Sequence, residues 1–225
     1  VNYGEVLGVS GLIGAGRTEL AQLIFGARHR TKGKILLDGK EARIRCESDA
    51  VRQGIAYINE DRRIGGLNLA MPIKFNLSLP GLFLGKSEMT GKVFVKDRNL
   101  NDISRNLVSR LEIKCNSIQD VMVNLSGGNQ QKVSIGKWIA TGSKIFIFDE
   151  PTKGIDVLAK AKVYQEIRNL ARSGCAVIVI SSYNAELLGV CDRIAAMTKG
   201  KIIGEYDRNV SEETLMLAQA GIMAS

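Results

Sequence analysis

The chain has 225 residues, of which 45% are hydrophobic, and a formal net charge of +8. This length and apolar content predict one globular domain with a sizeable core and an inserted subdomain, and they exclude a disordered chain. No apolar run approaches the roughly twenty residues that cross a bilayer, and Val1 opens directly into a strand-like segment. We therefore expect a soluble or peripheral protein without a signal peptide.

The positive charge is spread along the chain. Only residues 28–34 and the pair Arg62-Arg63 form basic clusters, and neither contains the interleaved aromatic residues of a single-strand binding surface. Charge alone therefore does not predict nucleic-acid binding, although it also suits an anionic lipid surface or a solvated face.

The cysteines Cys46, Cys115, Cys175 and Cys191 are scattered without CxxC spacing. This pattern argues against a zinc site and is typical of reduced thiols in a cytosolic compartment. We predict that all four are small core residues.

A glycine-rich loop lies between a predicted strand and a predicted helix near the start of the chain. The strand covers residues 5–10, and the helix places Leu20, Leu23 and Ile24 on one face and ends at Gly26. Residues 11–18 between them match GxxxxGK(S/T), except that arginine replaces the lysine. Such a loop brings backbone N–H groups to a helix N-terminus, which is how proteins bind phosphate.

Two further strands are predicted before residue 60. Residues 33–38 form a strand with a hairpin turn at Asp38-Gly39. Residues 55–58 form a strand that runs into an abrupt polar patch containing Glu60. Ligands in α/β folds bind at the C-terminal ends of strands, so the patch is a candidate site, although a solvated loop explains it about as well.

Residues 67–118 are predicted to form a helical subdomain inserted into a core of residues 1–66 and 119–225. The second part carries a helical stripe of Ile103, Leu107 and Leu111, whereas the part before residue 96 has no clean periodicity.

The stretch 125–132, LSGGNQQK, opens another helix. Ser126 is a good N-cap, and an apolar face follows at Val133, Ile135, Trp138 and Ile139. The capped N-terminus predicts a second anion site, which need not serve the same phosphate as the first.

Residues 145–148 are apolar throughout, which predicts a central strand that delivers Asp149 and Glu150 beside the glycine loop. One carboxylate would hold magnesium together with Thr18, and the other would polarise an attacking water. A helix lined by Ala159, Val163, Ile167 and Leu170 and a buried strand over residues 176–181 follow.

Taken in this order, these motifs resemble the nucleotide-binding domain of ATP-binding-cassette transporters over essentially the whole chain. The strings GAGRTEL, EDRR, LSGGNQQK and DEPTKGID look like the C-terminal cassette of the double-cassette proteins that energise bacterial sugar import. The resemblance implies a P-loop NTPase fold: a RecA-like core with a mainly parallel sheet, a β-rich N-terminal edge whose first strands are missing here, and an inserted helical subdomain.

The resemblance also implies functional residues. Nucleotide would be bound by Gly11, Gly14, Ala15, Gly16, Arg17, Thr18, Glu19 and Glu60; Thr18 and Asp149 would bind metal; and Glu150 and Ser182 would be catalytic. Ser126, Gly127, Gly128 and Gln130 would act on the nucleotide of a partner cassette, and Asp156 would form the D-loop.

Three departures from the general cassette pattern are informative. Arg17 replaces the usual lysine, Glu60 the Q-loop glutamine and Ser182 the switch histidine. The single histidine, His29, is expected on the surface. Tyr3 is too close to the loop to serve as the adenine-stacking aromatic of the family.

The resemblance implies an ATP-hydrolysing subunit that uses ATP and Mg²⁺. The departures at Arg17 and Ser182 predict that its own site hydrolyses ATP slowly. Its partners would be a second cassette, in the same polypeptide or another, membrane permease subunits and, indirectly, a sugar-binding protein, at the cytoplasmic face of the bacterial membrane. Nucleosides are the alternative cargo. A soluble cassette ATPase acting on nucleic acid or the ribosome, and a half-cassette that never hydrolyses ATP, remain alternatives.

Overall fold

The computed structural model describes residues 1–62, 65–86, 89 and 97–222. The chain divides into two compact units, one of Val1–Tyr57, Lys144–Pro151 and Ile167–Ser225 and the other of Ile58–Ser143 and Thr152–Glu166. The predicted boundaries at residues 67 and 118 stay a prediction. The stretch before residue 96, which has no clean periodicity, lies partly outside the described residues.

The first unit is built on a six-stranded sheet with the strand order β4-β5-β6-β1-β7-β8. Its strands are β1 Val6–Ser10, β4 Ile55–Ile58, β5 Ile145–Asp149, β6 Ala176–Ile180, β7 Arg193–Thr198 and β8 Lys201–Asp207. β1 pairs in parallel with β6 and β7, β5 pairs in parallel with β6, and β8 is antiparallel to β7. The parallel strands end at one edge of the sheet, so the residues after β1, β5 and β6 come together there.

The composition of the strands explains their central place. Phe146, Ile147 and Phe148 in β5 are fully buried, as are Val177, Val179 and Ile180 in β6. Strands covered on both faces are apolar at successive positions because neither face meets water. The predicted parallel α/β core is confirmed.

A separate two-stranded hairpin joins β2 Leu36–Leu37 to β3 Lys40–Glu41. Asp38 and Gly39 at its turn have φ values of 51° and 74°. Positive φ at both central residues is typical of a type I′ turn, which Asp-Gly favours. The predicted hairpin is confirmed, with shorter strands than expected.

The helices of the first unit are α1 Arg17–Phe25, α2 Glu47–Arg52, α7 Asn184–Val190 and α8 Glu212–Gln219. α1 ends as predicted at Gly26, whose φ of 80° suits a glycine C-cap. Leu20, Leu23 and Ile24 lie on one face of α1, as predicted, and line a common cavity, but they are only half-buried. The buried residues of α1 are Arg17, Ala21 and Phe25.

The second unit is helical. It contains α3 Ile73–Phe83, α4 Asp97–Arg110, α5 Gly127–Ile139 and the first ten residues of α6 Val157–Arg172. α3, α4 and α5 share a buried cluster of Leu67, Ile73, Leu77, Leu107, Leu111, Ile113, Met122 and Val133, against which Ile103 packs. The predicted helical stripe of α4 is therefore confirmed.

The cysteine prediction is only partly right. Cys175 and Cys191 are buried and all four thiols are free, but Cys115 is half-buried and Cys46 is exposed. Cys46 is the N-cap residue of the short helix α2, at the surface. His29 is exposed, as expected. No helix in the described part of the chain is both long and apolar enough to cross a membrane.

Candidate functional site

The glycine loop connects β1 to α1, as predicted. Its positions require glycine for different physical reasons. Gly14 and Gly16 have φ values of 82° and 97°, which residues with a Cβ rarely adopt. Gly11 is needed for space, because a Cβ there would lie 2.6 Å from the carbonyl oxygen of Met197. Ala15 is buried, and its N–H donates to the Leu12 carbonyl at 2.9 Å.

Asp149 ends β5 and meets the first turn of α1. The Thr18 hydroxyl donates to Asp149 Oδ1 at 3.2 Å, and the Tyr57 hydroxyl donates to Oδ2 at 2.8 Å. Both oxygens of a fully buried carboxylate are therefore held. The structure brings together the two predicted metal ligands, Thr18 and Asp149.

Tyr57 is a site residue that the sequence reasoning missed. It lies on β4, and its ring packs on Phe25 of α1 with the ring centroids 5.3 Å apart. The available signal was a tyrosine inside an otherwise apolar strand, because a buried tyrosine hydroxyl usually finds a hydrogen-bond partner.

Glu150 follows β5 and is held on both carboxylate oxygens. Arg17 Nη2 lies 3.3 Å from Oε1, and the Ser182 hydroxyl donates to Oε2 at 3.2 Å. Burial raises the pKa of the Glu150 carboxyl above its ordinary value, and the positive charge of Arg17 and the Ser182 hydroxyl oppose that rise. A carboxyl whose pKa moves toward neutrality is suited to general-base chemistry.

The backbone also fixes Glu150. Its φ of 47° is left-handed, an uncommon conformation for a residue with a side chain, and its N–H donates to the Ile180 carbonyl at 2.9 Å. Arg17 Nη1 donates to the carbonyl of Ser181, the residue that follows β6. Arg17, Glu150 and Ser182 thus form one connected cluster in the first unit.

Glu19, predicted to bind nucleotide, is half-buried in α1, and the structure gives it a loose ion pair with exposed Arg28 at 3.9 Å. Glu60, predicted for the same role, belongs to the second unit and pairs with Lys153. The roles of both residues stay predictions.

The stretch 125–132 lies in the second unit, at the start of α5. The Ser126 hydroxyl accepts from the Asn129 N–H at 3.5 Å, so the predicted N-cap is confirmed. Gln130 is buried, and its amide donates to the carbonyls of Met122 and Leu125 at 3.1 Å each. Its side chain therefore ties α5 to the preceding turn.

The two glycines of this stretch are tightly surrounded. A Cβ on Gly128 would lie 2.7 Å from Ala159 Cβ, and a Cβ on Gly127 would lie 2.9 Å from Arg62 Nη2. Asp156 caps the start of α6 by accepting from the Ala159 N–H at 2.9 Å. The glycines thus let α5 begin directly against the residues that open α6.

The residues of the first unit fit a magnesium-bound nucleotide. The N-cap of α1 is Gly16, which has no side chain to satisfy the first N–H groups of that helix. Gly14 is exposed, and a Cβ on it would meet nothing within 4 Å, so the loop is open to a ligand. The Thr18 and Asp149 oxygens are hard ligands of the kind that Mg²⁺ prefers. Bound there, the ion would neutralise charge on phosphate oxygens.

A parallel α/β sheet with a phosphate-type loop and paired strand-end carboxylates, together with a helical unit whose helix α5 begins at the string LSGG, defines an ATP-binding-cassette domain. The family model for ABC transporters matches residues 1–153. The chain belongs to this family.

Curated relatives agree with this assignment. The chain is 43% identical over 222 residues to the ribose import ATP-binding protein RbsA of Oceanobacillus iheyensis, covering 98% of this chain and 44% of that protein. It is 46% identical over 219 residues to a putative ribose/galactose/methyl galactoside import ATP-binding protein of Burkholderia cenocepacia, covering 97% and 42%. The chain thus spans less than half the length of these relatives.

Solved structures share the fold at low identity. MJ1267, an ATP-binding cassette of an ABC transporter, matches with a TM-score of 0.80 and 20% identity over 100% of this chain and 90% of its own. The cassette MJ0796, solved as a dimer with ADP and Pi, matches with a TM-score of 0.76 and 18% identity over 94% and 89%.

Proposed function

We propose that this chain is one ATP-binding cassette of a bacterial sugar importer, and that it binds Mg²⁺-ATP at residues 11–18. The observation that carries the proposal is the meeting of Thr18 with Asp149 at 3.2 Å beside an open glycine loop. The names of the relatives, which are ribose and galactose import proteins, support sugar as the cargo.

The partners follow from the same proposal. The capped start of α5, with Ser126 and Gly127, is directed to the nucleotide of a second cassette, while Asp149 and Glu150 serve this chain's own. ATP hydrolysis by the cassettes drives the membrane permease subunits, and a sugar-binding protein delivers the cargo to them. The protein acts at the cytoplasmic face of the membrane as a peripheral subunit.

The chemistry assigned to this chain is positioning and proton handling. The N–H groups at the start of α1 bind phosphate oxygens, and Tyr57 and Thr18 fix Asp149. Glu150 is the base that accepts a proton from the attacking water, and Ser182 orients the carboxylate from the other side.

Uptake assays in the source bacterium test this function. Deleting the gene should abolish uptake of labelled ribose or galactose, and restoring it should recover uptake, whereas an Asp149→Asn gene should not. Unchanged sugar uptake together with lost uptake of a labelled nucleoside would instead assign the nucleoside cargo. Unchanged uptake of both would contradict the importer assignment.

One observation favours a second candidate, a nucleotide-binding half that does not hydrolyse ATP. Arg17, at the usual lysine position, is paired with Glu150, the proposed base. Single-turnover measurements with Mg²⁺ and ATP separate the two candidates, because bound ATP that is never cleaved would assign the second.

A further inference from the structure

Arg17 does not extend along the glycine loop but turns into the interior of the first unit. Its side chain is 8% exposed and that of Glu150 is 9% exposed, and Nη2 and Oε1 of the pair are 3.3 Å apart. The second nitrogen, Nη1, donates to the Ser181 carbonyl. The planar fork of the guanidinium therefore contacts a carboxylate and a carbonyl at once.

This pair is hard to separate. A buried carboxylate that loses its counter-ion is strongly unfavourable, because neither water nor another cation replaces the lost interaction. Arginine stays charged under all working conditions, so the pair is not relieved by a proton leaving Arg17. Moving Arg17 out to a phosphate group would leave the Glu150 carboxylate buried without a counter-ion beside Asp149, with the Ser182 hydroxyl still bound to it.

Lysine would not reproduce this arrangement. Its single ammonium on a flexible stem lacks the two separate nitrogens, fixed in one plane, with which Arg17 reaches Glu150 and Ser181 together. The arginine therefore suits a role toward Glu150 better than a role as a point charge on phosphate.

We infer that Arg17 is a positioning residue of Glu150, and that phosphate binds to this loop through backbone N–H groups and Thr18 without the Arg17 side chain. The inference rests on the proposed function in that it concerns the same nucleotide site. We therefore expect the ion pair of Arg17 and Glu150 to be present both with and without bound nucleotide.

A double-mutant cycle tests the inference with two readouts, the melting temperature of the nucleotide-free chain and the Kd for a fluorescent ATP analogue with Mg²⁺. Arg17→Met should lower the melting temperature by about 5 to 10 °C, and adding Glu150→Gln should restore most of that loss because the buried charge is removed with its partner. The Kd should change by less than about threefold in both variants. Arg17→Lys should have a melting temperature between those of Arg17→Met and the wild type.

Arg168→Met is the matched control, because Arg168 pairs with Asp192 at 2.8 Å in the same unit but is more exposed. It should cost less stability, and Glu150→Gln should not rescue it. A tenfold or greater weakening of nucleotide binding by Arg17→Met, or additive effects of Arg17→Met and Glu150→Gln on stability, would overturn the inference. If Arg17→Met does not fold, the double variant alone decides, because a tenfold loss of its affinity would assign Arg17 to phosphate.

The outcomes also separate this inference from the proposed function. If the wild-type chain binds no nucleotide, the proposed function fails, and the stability cycle still reports whether Arg17 and Glu150 act as one unit.

Discussion

The glycine loop before α1 and the LSGG stretch before α5 read alike in the sequence but differ physically. Gly14 and Gly16 are required by positive φ, whereas Gly127 and Gly128 do not have positive φ and are required by close neighbours. The helix after the first turn has no side-chain cap, and the helix after the second is capped by Ser126. The first turn is thus shaped to leave N–H groups free, and the second to pack tightly within its own unit.

The two regions also bury cations in different ways. Arg17 at the start of α1 pairs with a carboxylate, whereas Lys137 near the end of α5 donates to the neutral carbonyl of Gly66 and lies 5.3 Å from the Trp138 ring centroid. Burial lowers the pKa of Lys137 to about 8. Lys137 can therefore lose its charge at mildly alkaline pH.

The largest expected effect is therefore a pH dependence that belongs to Lys137. Its pKa is about 8 in the folded chain and near 10.5 when unfolded, so between these values the unfolded chain binds more protons and stability rises with pH. From pH 8 to 10 the free energy of unfolding of the wild type should rise by about 2 kcal/mol relative to Lys137→Met. Urea unfolding across this range measures the difference. If the free energies of unfolding of the two proteins changed in parallel with pH, the prediction would be refuted.

Gly128→Ala should cost about 1 to 2 kcal/mol of stability. The new Cβ would lie 2.7 Å from Ala159 Cβ, which moves only if α6 moves. Gly127→Ala is the control: its Cβ meets the end of the flexible Arg62 side chain, and alanine favours the helix, so its stability should stay within about 0.5 kcal/mol of the wild type. Equal losses in urea unfolding would mean that packing against α6 is not what requires glycine.

Gly14→Ala should cost about 1 kcal/mol, from backbone strain alone, because open space surrounds its Cβ position. Gly33→Ala shares the φ of 82° and the open surroundings but lies outside the loop. Both variants should lose similar stability, and only Gly14→Ala should weaken binding of a fluorescent ATP analogue. If Gly33→Ala weakened binding equally, the loop would not be the nucleotide site.

Ser126→Ala should have the smallest effect on stability, about 0.5 kcal/mol, because the hydroxyl is 3.5 Å from the N–H that it caps. Ser211→Ala removes a similar cap from α8, where the distance is 3.1 Å, and should cost slightly more. Ser126→Ala should lower ATP turnover by the full-length protein, whereas Ser211→Ala should leave it unchanged. Equal turnover would remove Ser126 from the proposed chemistry.

Local patterns predicted most of the fold. The run from β1 through the glycine loop to α1, the hairpin turn at Asp38-Gly39, the buried strands β5 and β6 and the cap at Ser126 all depend on neighbouring residues. The burial of Arg17 in α1 was not predicted, because this polar residue is buried through its pairing with Glu150, 133 residues further along the chain. A helical period does not contain that information.

The sequence predicted which residues gather beside the glycine loop better than it predicted their contacts, and their roles stay predictions. Thr18 and Asp149 do meet, and Glu150 and Ser182 do lie together. The Tyr57 bond to Asp149 depends on the proximity of β4 and β5 in the sheet, which strand patterns do not specify. The inward orientation of the Gln130 side chain depends on the carbonyls of Met122 and Leu125, whose positions are set by the fold of the preceding turn.

The central claim is that the two glycine turns serve different nucleotides, with the LSGG stretch acting on the one that a second cassette holds. Steady-state ATP turnover by the full-length protein tests it, with analogue binding to residues 11–18 as the check on folding. Ser126→Arg should lower turnover at least about tenfold while binding is retained, because the added side chain blocks the start of α5. Arg17→Met disturbs Glu150 of this chain's own site only, so it should lower turnover less than Ser126→Arg does. Loss of turnover in Arg17→Met together with normal turnover in Ser126→Arg would contradict the account.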